Sequence, residues 1–215
     1  MSPLDTLRTL PTAAVSDALD RLGLPGSCWQ VGPLFNEARL VGPAFTVRYV
    51  PTGSPKGNVG DFLDDVPPGA VVVIDNAGRT DCTVWGDIMT TLALQRGVGG
   101  TVIDGVCRDV AKAIDARYPI YSRSRFMRTG KDRIELAEID GPVSIGGVRV
   151  RPGDLLVGDA DGVLAVPQDR AEEVVATALE IERVEGGIMA AIEGGGSLRE
   201  ARRQFGYHTL QRSQS

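Results

Sequence analysis

Two short, unbroken apolar runs constrain this chain more than anything else in it. Ala70-Val71-Val72-Val73-Ile74-Asp75 and Thr101-Val102-Ile103-Asp104 show no polar alternation, the pattern of strands covered on both faces. A segment with helical spacing follows each. Residues 86–96 carry Ile88, Leu92 and Gln95 at helical intervals and stop at Gly97; residues 108–116 are reached through a turn expected at Gly105. Strand, helix, strand, helix at this spacing predicts βαβ units around a parallel sheet, hence an α/β fold.

The flanks extend that frame. Residues 4–22 read as a helix in two pieces around Pro11, stopped by Gly23. Residues 40–50 are strand-like with an early break at Gly42-Pro43, and residues 57–66 suggest a short helix closed by Pro67-Pro68-Gly69. Past residue 140 the chain changes character. Residues 143–145, 148–150, 155–157 and 163–166 are short apolar runs parted by Gly-Gly, Pro-Gly-Asp and Asp-Ala-Asp-Gly, so β-hairpins are expected. A long acidic helix is predicted from residue 168 to about 193, ended by Gly194-Gly195-Gly196. The expected organisation is one domain over residues 1–197, with a short helix and tail in residues 198–215. A chain of 215 residues buries a core without disulfides or a structural metal.

Rare residues exclude whole classes of chemistry. His208 is the only histidine, which removes three-histidine zinc sites and makes a Ser-His-Asp triad depend on the tail. The three lysines, Lys56, Lys112 and Lys131, lie outside apolar strands, where none would be desolvated for Schiff-base work. Cys28, Cys82 and Cys107 have no CxxC spacing and are odd in number, which fits reduced thiols; Cys107 reads as a small buried apolar residue. Net charge of −5 argues against nucleic acid and anionic membranes as partners. The basic cluster Arg123, Arg125, Arg128, Lys131 and Arg133 reads as a solvated strand-and-loop edge, with only Tyr121 and Phe126 nearby for stacking. No apolar run approaches 18 residues and Met1-Ser2-Pro3-Leu4-Asp5 has no signal-peptide character, so a cytoplasmic protein is expected. Chemistry is left to carboxylates, arginines and backbone amides, with or without a metal.

Two helix starts then matter, because each follows a buried strand: Gly86-Asp87-Ile88-Met89 and Arg108-Asp109-Val110. Ligands of α/β sheets bind at the carboxyl ends of strands, where helix N-termini present free amides. Amides around Ile88 and Met89 would hold a small carboxylate, Arg108 would add a bidentate contact, and Asp109 is a hard oxygen ligand for Mg²⁺ or Mn²⁺. Singly, each acid also reads as a first-turn residue complementing a helix dipole. Trp29 and Trp85 read as packing, with Trp85 also placed to wall a pocket beside Gly86. Asp159 and Asp161 read as turn-formers.

Asp87 and Arg108-Asp109 are separated by twenty residues that include Arg96-Gly97-Val98-Gly99-Gly100-Thr101-Val102-Ile103-Asp104-Gly105. This resembles the Asp-X20-Arg-Asp motif of the RraA-like superfamily, which includes the 4-hydroxy-4-methyl-2-oxoglutarate aldolases. Pro152-Gly153-Asp154-Leu155-Leu156-Val157-Gly158-Asp159-Ala160-Asp161-Gly162-Val163 is similar to that family's hairpin, and the likeness spans about residues 10–197. The resemblance implies a single-domain α/β/α sandwich of the swivelling, phosphohistidine-domain-like type, assembled as a homotrimer or a dimer of trimers. It implies a divalent-metal-dependent lyase releasing pyruvate from a 4-hydroxy-2-oxo acid, with oxaloacetate decarboxylation as a side activity. Asp109 would hold the metal, Arg108 would stabilise the enolate, and Asp87 would move a proton through water. Gly86, Asp87, Ile88, Met89 and Arg108 would bind substrate, and Glu182 or Glu185 would cross from a neighbouring subunit. The same superfamily contains a non-catalytic ring-shaped inhibitor of ribonuclease E, which lacks the aspartate after the arginine; this sequence has Asp109.

Overall fold

In a computed structural model, which describes residues 2–207, the two apolar runs are adjacent parallel strands at the centre of a mixed sheet. The strands are β1 (Gly32–Pro33), β2 (Leu40–Pro51), β3 (Val71–Asp75), β4 (Gly100–Cys107), β5 (Ile120–Arg125), β6 (Ile134–Ile139), β7 (Val143–Ile145), β8 (Val148–Val150), β9 (Leu155–Asp159) and β10 (Gly162–Val166). The helices are α1 (Pro3–Leu7), α2 (Thr12–Arg21), α3 (Asp87–Arg96), α4 (Val110–Asp115), α5 (Ala171–Glu193) and α6 (Leu198–Gln204). Sheet order is β1-β5-β4-β3-β2-β9-β10, with β6 also on β2 and β7–β8 forming a separate hairpin. Strands β2 to β5 run parallel, and the pairs at either side of them are antiparallel.

The sheet curls until it nearly closes into a barrel. Ser27 bridges Leu164, the Cys28 amide donates to the Val163 carbonyl at 3.1 Å, and the Tyr121 hydroxyl lies 2.8 Å from the Ala38 carbonyl and 3.0 Å from that of Asp159. Alternation along the strands divides the core. Val71, Val73, Val102, Leu156 and Val163 pack with Val143, Ile145, Val148 and Val150 of the β7–β8 hairpin. Val72, Ile74 and Ile103 point the other way, to Trp85, Ala93, Ala113 and Tyr118. Leu155, Val157, Leu164 and Val166 pack under α2 and α5 through Val15, Leu19, Val174 and Ile181. Val71 to Ile74 are fully buried on both faces, each worth about 1.5–3 kcal/mol over exposure, which explains the unbroken run.

The expected helices at both ends, the parallel half, the two hairpins and the long C-terminal helix are all present. Several local expectations need correction. Gly42-Pro43 does not interrupt β2; both residues pair with β9 and the strand continues to Pro51. Gly105 is not a turn but lies inside β4, where the pairing with β5 shifts register between Ile103 and Val106. Residues 57–66 form only a 3-10 turn at Phe62–Asp65; the irregular stretch before it is tethered instead by Glu135, which accepts from the amides of Gly53 and Gly57. Trp29 is 73% exposed and so is not packing, whereas Trp85 is buried. The three cysteines are free and buried. Among the described residues no helix is long and apolar enough to cross a membrane. His208 lies outside the described residues.

Candidate functional site

The carboxyl ends of β3 and β4 feed, through loops, into the starts of α3 and α4, and the two helix starts meet. Asp109 is the N-cap of α4 in a left-handed backbone conformation, φ 54° and ψ 36°. Non-glycine residues rarely adopt this geometry, and aspartate is among those that tolerate it best. The turn aims the Asp109 carboxylate back at α3: its Oδ2 lies 3.3 Å from the Asp87 amide, which donates to it, and 3.3 Å from Arg108 Nε. Gly86 leaves room for this approach: a Cβ there would sit 2.7 Å from the same oxygen, and the carboxylate would have to shift. Asp87 uses its Oδ1 to accept the Ile88 amide at 2.8 Å. One of the two amides expected to hold substrate is therefore capped by the neighbouring acid in this state.

Gly86, Asp87, Ile88, Met89 and Arg108 all line one cavity of about 230 Å³; Asp109 stands at its edge, in contact with Gly86, Asp87 and Arg108. The far wall comes from segments the sequence reading did not connect with the site. Tyr49 lies near the end of β2, Val59, Gly60 and Asp61 belong to the Glu135-tethered loop, and Thr129, Gly130 and Lys131 follow β5. Lys131 belongs to the basic cluster, and only the return of the chain beside Thr83 brings it here. Trp85, Val84 and Thr83 form the floor. The cavity joins a buried apolar floor to a polar, half-exposed rim, a common form for a small-ligand site. Of the remaining arginines in the basic cluster, Arg123 is ion-paired with buried Asp104, and Arg128 stacks over Phe126.

Whether these residues suit a divalent ion follows from the donor set. Among the described residues no group of three or more His, Cys, Asp or Glu side chains converges. Asp109 keeps one carboxylate oxygen, Oδ1, that no protein donor engages, as Asp87 does with its Oδ2; Asp61, on the opposite wall, has both oxygens open. A hard ion that keeps most of its waters fits one such ligand; zinc, which wants several nitrogen or sulfur ligands, does not. Glu182 and Glu185 lie on α5 and do not line this cavity within the same chain. Burial, with Asp17 and Glu182 adding like charge, raises the Glu185 carboxyl above its ordinary value.

A family model described as RraA-like, Aldolase/RraA, matches residues 12–165. Among curated relatives, protein DlpA of Legionella pneumophila is 39% identical over 207 residues, covering 95% of this chain and 34% of DlpA. The chain thus spans about a third of that relative's length. A Halalkalibacterium halodurans protein named "Putative 4-hydroxy-4-methyl-2-oxoglutarate aldolase" is 39% identical over 170 residues, 78% of each chain. Among solved structures, an uncharacterized protein of Pseudomonas syringae superimposes with a TM-score of 0.87 at 46% identity, covering 93% of this chain and 96% of the other.

Proposed function

This chain belongs to the RraA-like family, and on that footing we propose that it is a divalent-metal-dependent carbon–carbon lyase. Its substrate is 4-hydroxy-4-methyl-2-oxoglutarate or a related 4-hydroxy-2-oxo acid, cleaved to pyruvate and a second oxo acid, with oxaloacetate decarboxylation as a side activity. The observation that carries this reading is the Asp109 carboxylate, held by the Asp87 amide and Arg108 through one oxygen and left open at the other, at the edge of a cavity sized for a small acid. The name of the Halalkalibacterium relative supports the same class.

Mg²⁺ or Mn²⁺ held by Asp109 would supply Lewis-acid polarisation of the substrate's 2-oxo group. The chain's own residues do the rest. Arg108 donates to the developing enolate oxygen, a contact that strengthens as the C3–C4 bond breaks and its electron pair moves toward O2. Asp87 takes the C4-hydroxyl proton through an intervening water and returns a proton to C3 of the enolate. Loss of carbon dioxide from oxaloacetate passes through the same enolate and needs the same arginine.

The active form is a homotrimer or a dimer of trimers, with Glu182 or Glu185 reaching the site from a neighbour. Ile88, 79% exposed at the cavity mouth, is an apolar surface that a second copy would cover. The swivelling phosphohistidine-domain-like class and a cytoplasmic location belong to the same reading. Pyruvate release from oxaloacetate, followed with and without EDTA, tests it. Chelation should abolish activity and Mg²⁺ or Mn²⁺ should restore it. Full activity in excess EDTA, or a substrate adduct trapped by borohydride, overturns it; no release with any metal favours the non-catalytic regulator instead.

A further inference from the structure

The floor of the cavity contains an arrangement that the chemistry above does not use. Trp85 spends every polar group it has. Its backbone amide donates to Thr83 Oγ1 at 3.2 Å, its carbonyl accepts the Arg108 amide at 2.9 Å, and its indole Nε1–H donates to Thr90 Oγ1 at 3.0 Å. The Thr90 hydroxyl, with that acceptor role filled, donates to the Gly86 carbonyl at 3.0 Å. The indole stacks on Tyr118 at a centroid distance of 6.1 Å and an interplanar angle of 3°, and the Tyr118 hydroxyl pairs with Thr101 of β4 at 2.9 Å. Trp85 and Thr90 are each 1% exposed.

A threonine bonding back to the carbonyl four residues earlier is ordinary in helices. Thr91 does so with the Asp87 carbonyl at 2.8 Å, on the exposed side of the same turn. Thr90 differs because its hydroxyl is a relay: one partner is the ring anchored to β4 through Tyr118, the other is the peptide that precedes Asp87. The same tryptophan also fixes the amide of Arg108. One buried chain therefore sets how far the Asp87 helix start stands from the Arg108-Asp109 turn. We infer that Thr90 is a positioning residue for the reaction, its hydroxyl locking the Gly86–Asp87 peptide to Trp85 and so fixing Asp87 against Arg108.

The inference rests on the lyase reading, and the experiment separates their failures. In the Mg²⁺-loaded protein, oxaloacetate decarboxylation is measured for wild type, Thr90→Val, Thr90→Ser and Thr91→Val. Thr90→Val keeps the shape of the side chain and removes the hydroxyl; a fall in kcat of tenfold or more is expected, with KM changed less than threefold, because misplacement of catalytic groups acts on the reacting geometry. Thr90→Ser restores the hydroxyl and should recover most of the loss, and Thr91→Val should stay within twofold of wild type. In a Trp29→Phe background, fluorescence of Trp85 should shift in Thr90→Val and not in Thr91→Val. If Thr90→Val does not fold, Trp85→Phe, which keeps the stacked ring and deletes the N–H, takes its place and should lower kcat severalfold. An active wild type whose Thr90→Val or substitute Trp85→Phe variant keeps its kcat overturns this inference alone, as does an equal loss in Thr91→Val. A wild type without activity overturns the lyase reading and the inference with it.

Discussion

Two acid-rich corners of the molecule look alike in sequence and differ in what their oxygens do. At the barrel seam, where β9 turns into β10, Asp159 accepts the Thr12 hydroxyl at 2.6 Å and the Asp161 amide at 3.0 Å on one oxygen, and the Thr12 amide at 2.8 Å on the other. Asp154, nearby in the chain, accepts the Arg151 and Gln168 amides on separate oxygens at 2.7 and 3.1 Å. At the cavity, Asp109 has two donors at 3.3 Å on Oδ2 and none on Oδ1, and Asp87 has one short bond, to Ile88. A carboxylate whose oxygens are both engaged by its own chain is architecture. One with an oxygen to spare, half-exposed beside an arginine, is available to a ligand. Charge and residue type do not separate the two cases; saturation does.

The widest separation should come from removing one acid of each kind. Asp109→Asn, which keeps a residue that tolerates the left-handed backbone, is expected to lower decarboxylation by about a hundredfold or more, while thermal or urea unfolding changes by no more than about 1 kcal/mol. Asp159→Ala should do the reverse, costing about 2 kcal/mol in unfolding through the loss of several charge-assisted bonds, with activity per folded molecule within a fewfold of wild type. Equal losses of stability and activity at both positions would erase the distinction. The next largest effect concerns Arg108. Arg108→Lys keeps the charge but not the planar fork, and is expected to cost about a hundred- to a thousandfold in rate, or roughly 2.7–4 kcal/mol, mostly in kcat. Retention within a fewfold would reduce Arg108 to an attractive charge and remove the reason for its place beside Asp109.

The parallel core was legible because Val71 to Ile74 and Val102-Ile103 must be dry on both faces, a demand written in residue type alone. The two-piece N-terminal helix, both hairpins and the long α5 were legible through proline, glycine and turn chemistry. The curl of the sheet was not, because closure depends on tertiary contacts such as Tyr121 reaching Ala38 and Asp159. Gly105 misled because a glycine inside a shifted strand register and a glycine in a turn look the same in sequence. At the site, the spacing of Asp87, Arg108 and Asp109 was readable. The far wall was not: Tyr49, Asp61, Thr129 and Lys131 come from three separate segments. Thr90 hid in plain view as a helical threonine, its role visible only once Trp85 and Gly86 stand on either side of it.

The subtlest consequence of the comparison lies in acid. Burial alone would raise the Asp159 carboxyl, but the bonds from the Thr12 side chain and amide and from the Asp161 amide outweigh it and hold the group below its ordinary value of 3.8. The sign follows directly. A carboxylate whose folded pKa is depressed adds stability at pH values above the unfolded value, and that stability drains away as pH falls through the ordinary range toward the folded one. The melting temperature of wild type should therefore drop between about pH 5 and pH 3, and Asp159→Asn should drop less steeply while starting lower. Glu135 is held down in the same direction by the Gly53 amide, the Thr52 hydroxyl and the Gly57 amide, so wild type and Asp159→Asn share some slope from that group. The difference between the two melting curves cancels it and isolates Asp159. Identical slopes for wild type and Asp159→Asn would mean that the seam carboxylate binds protons as freely as an unfolded one, and saturation by donors would no longer mark it as architecture.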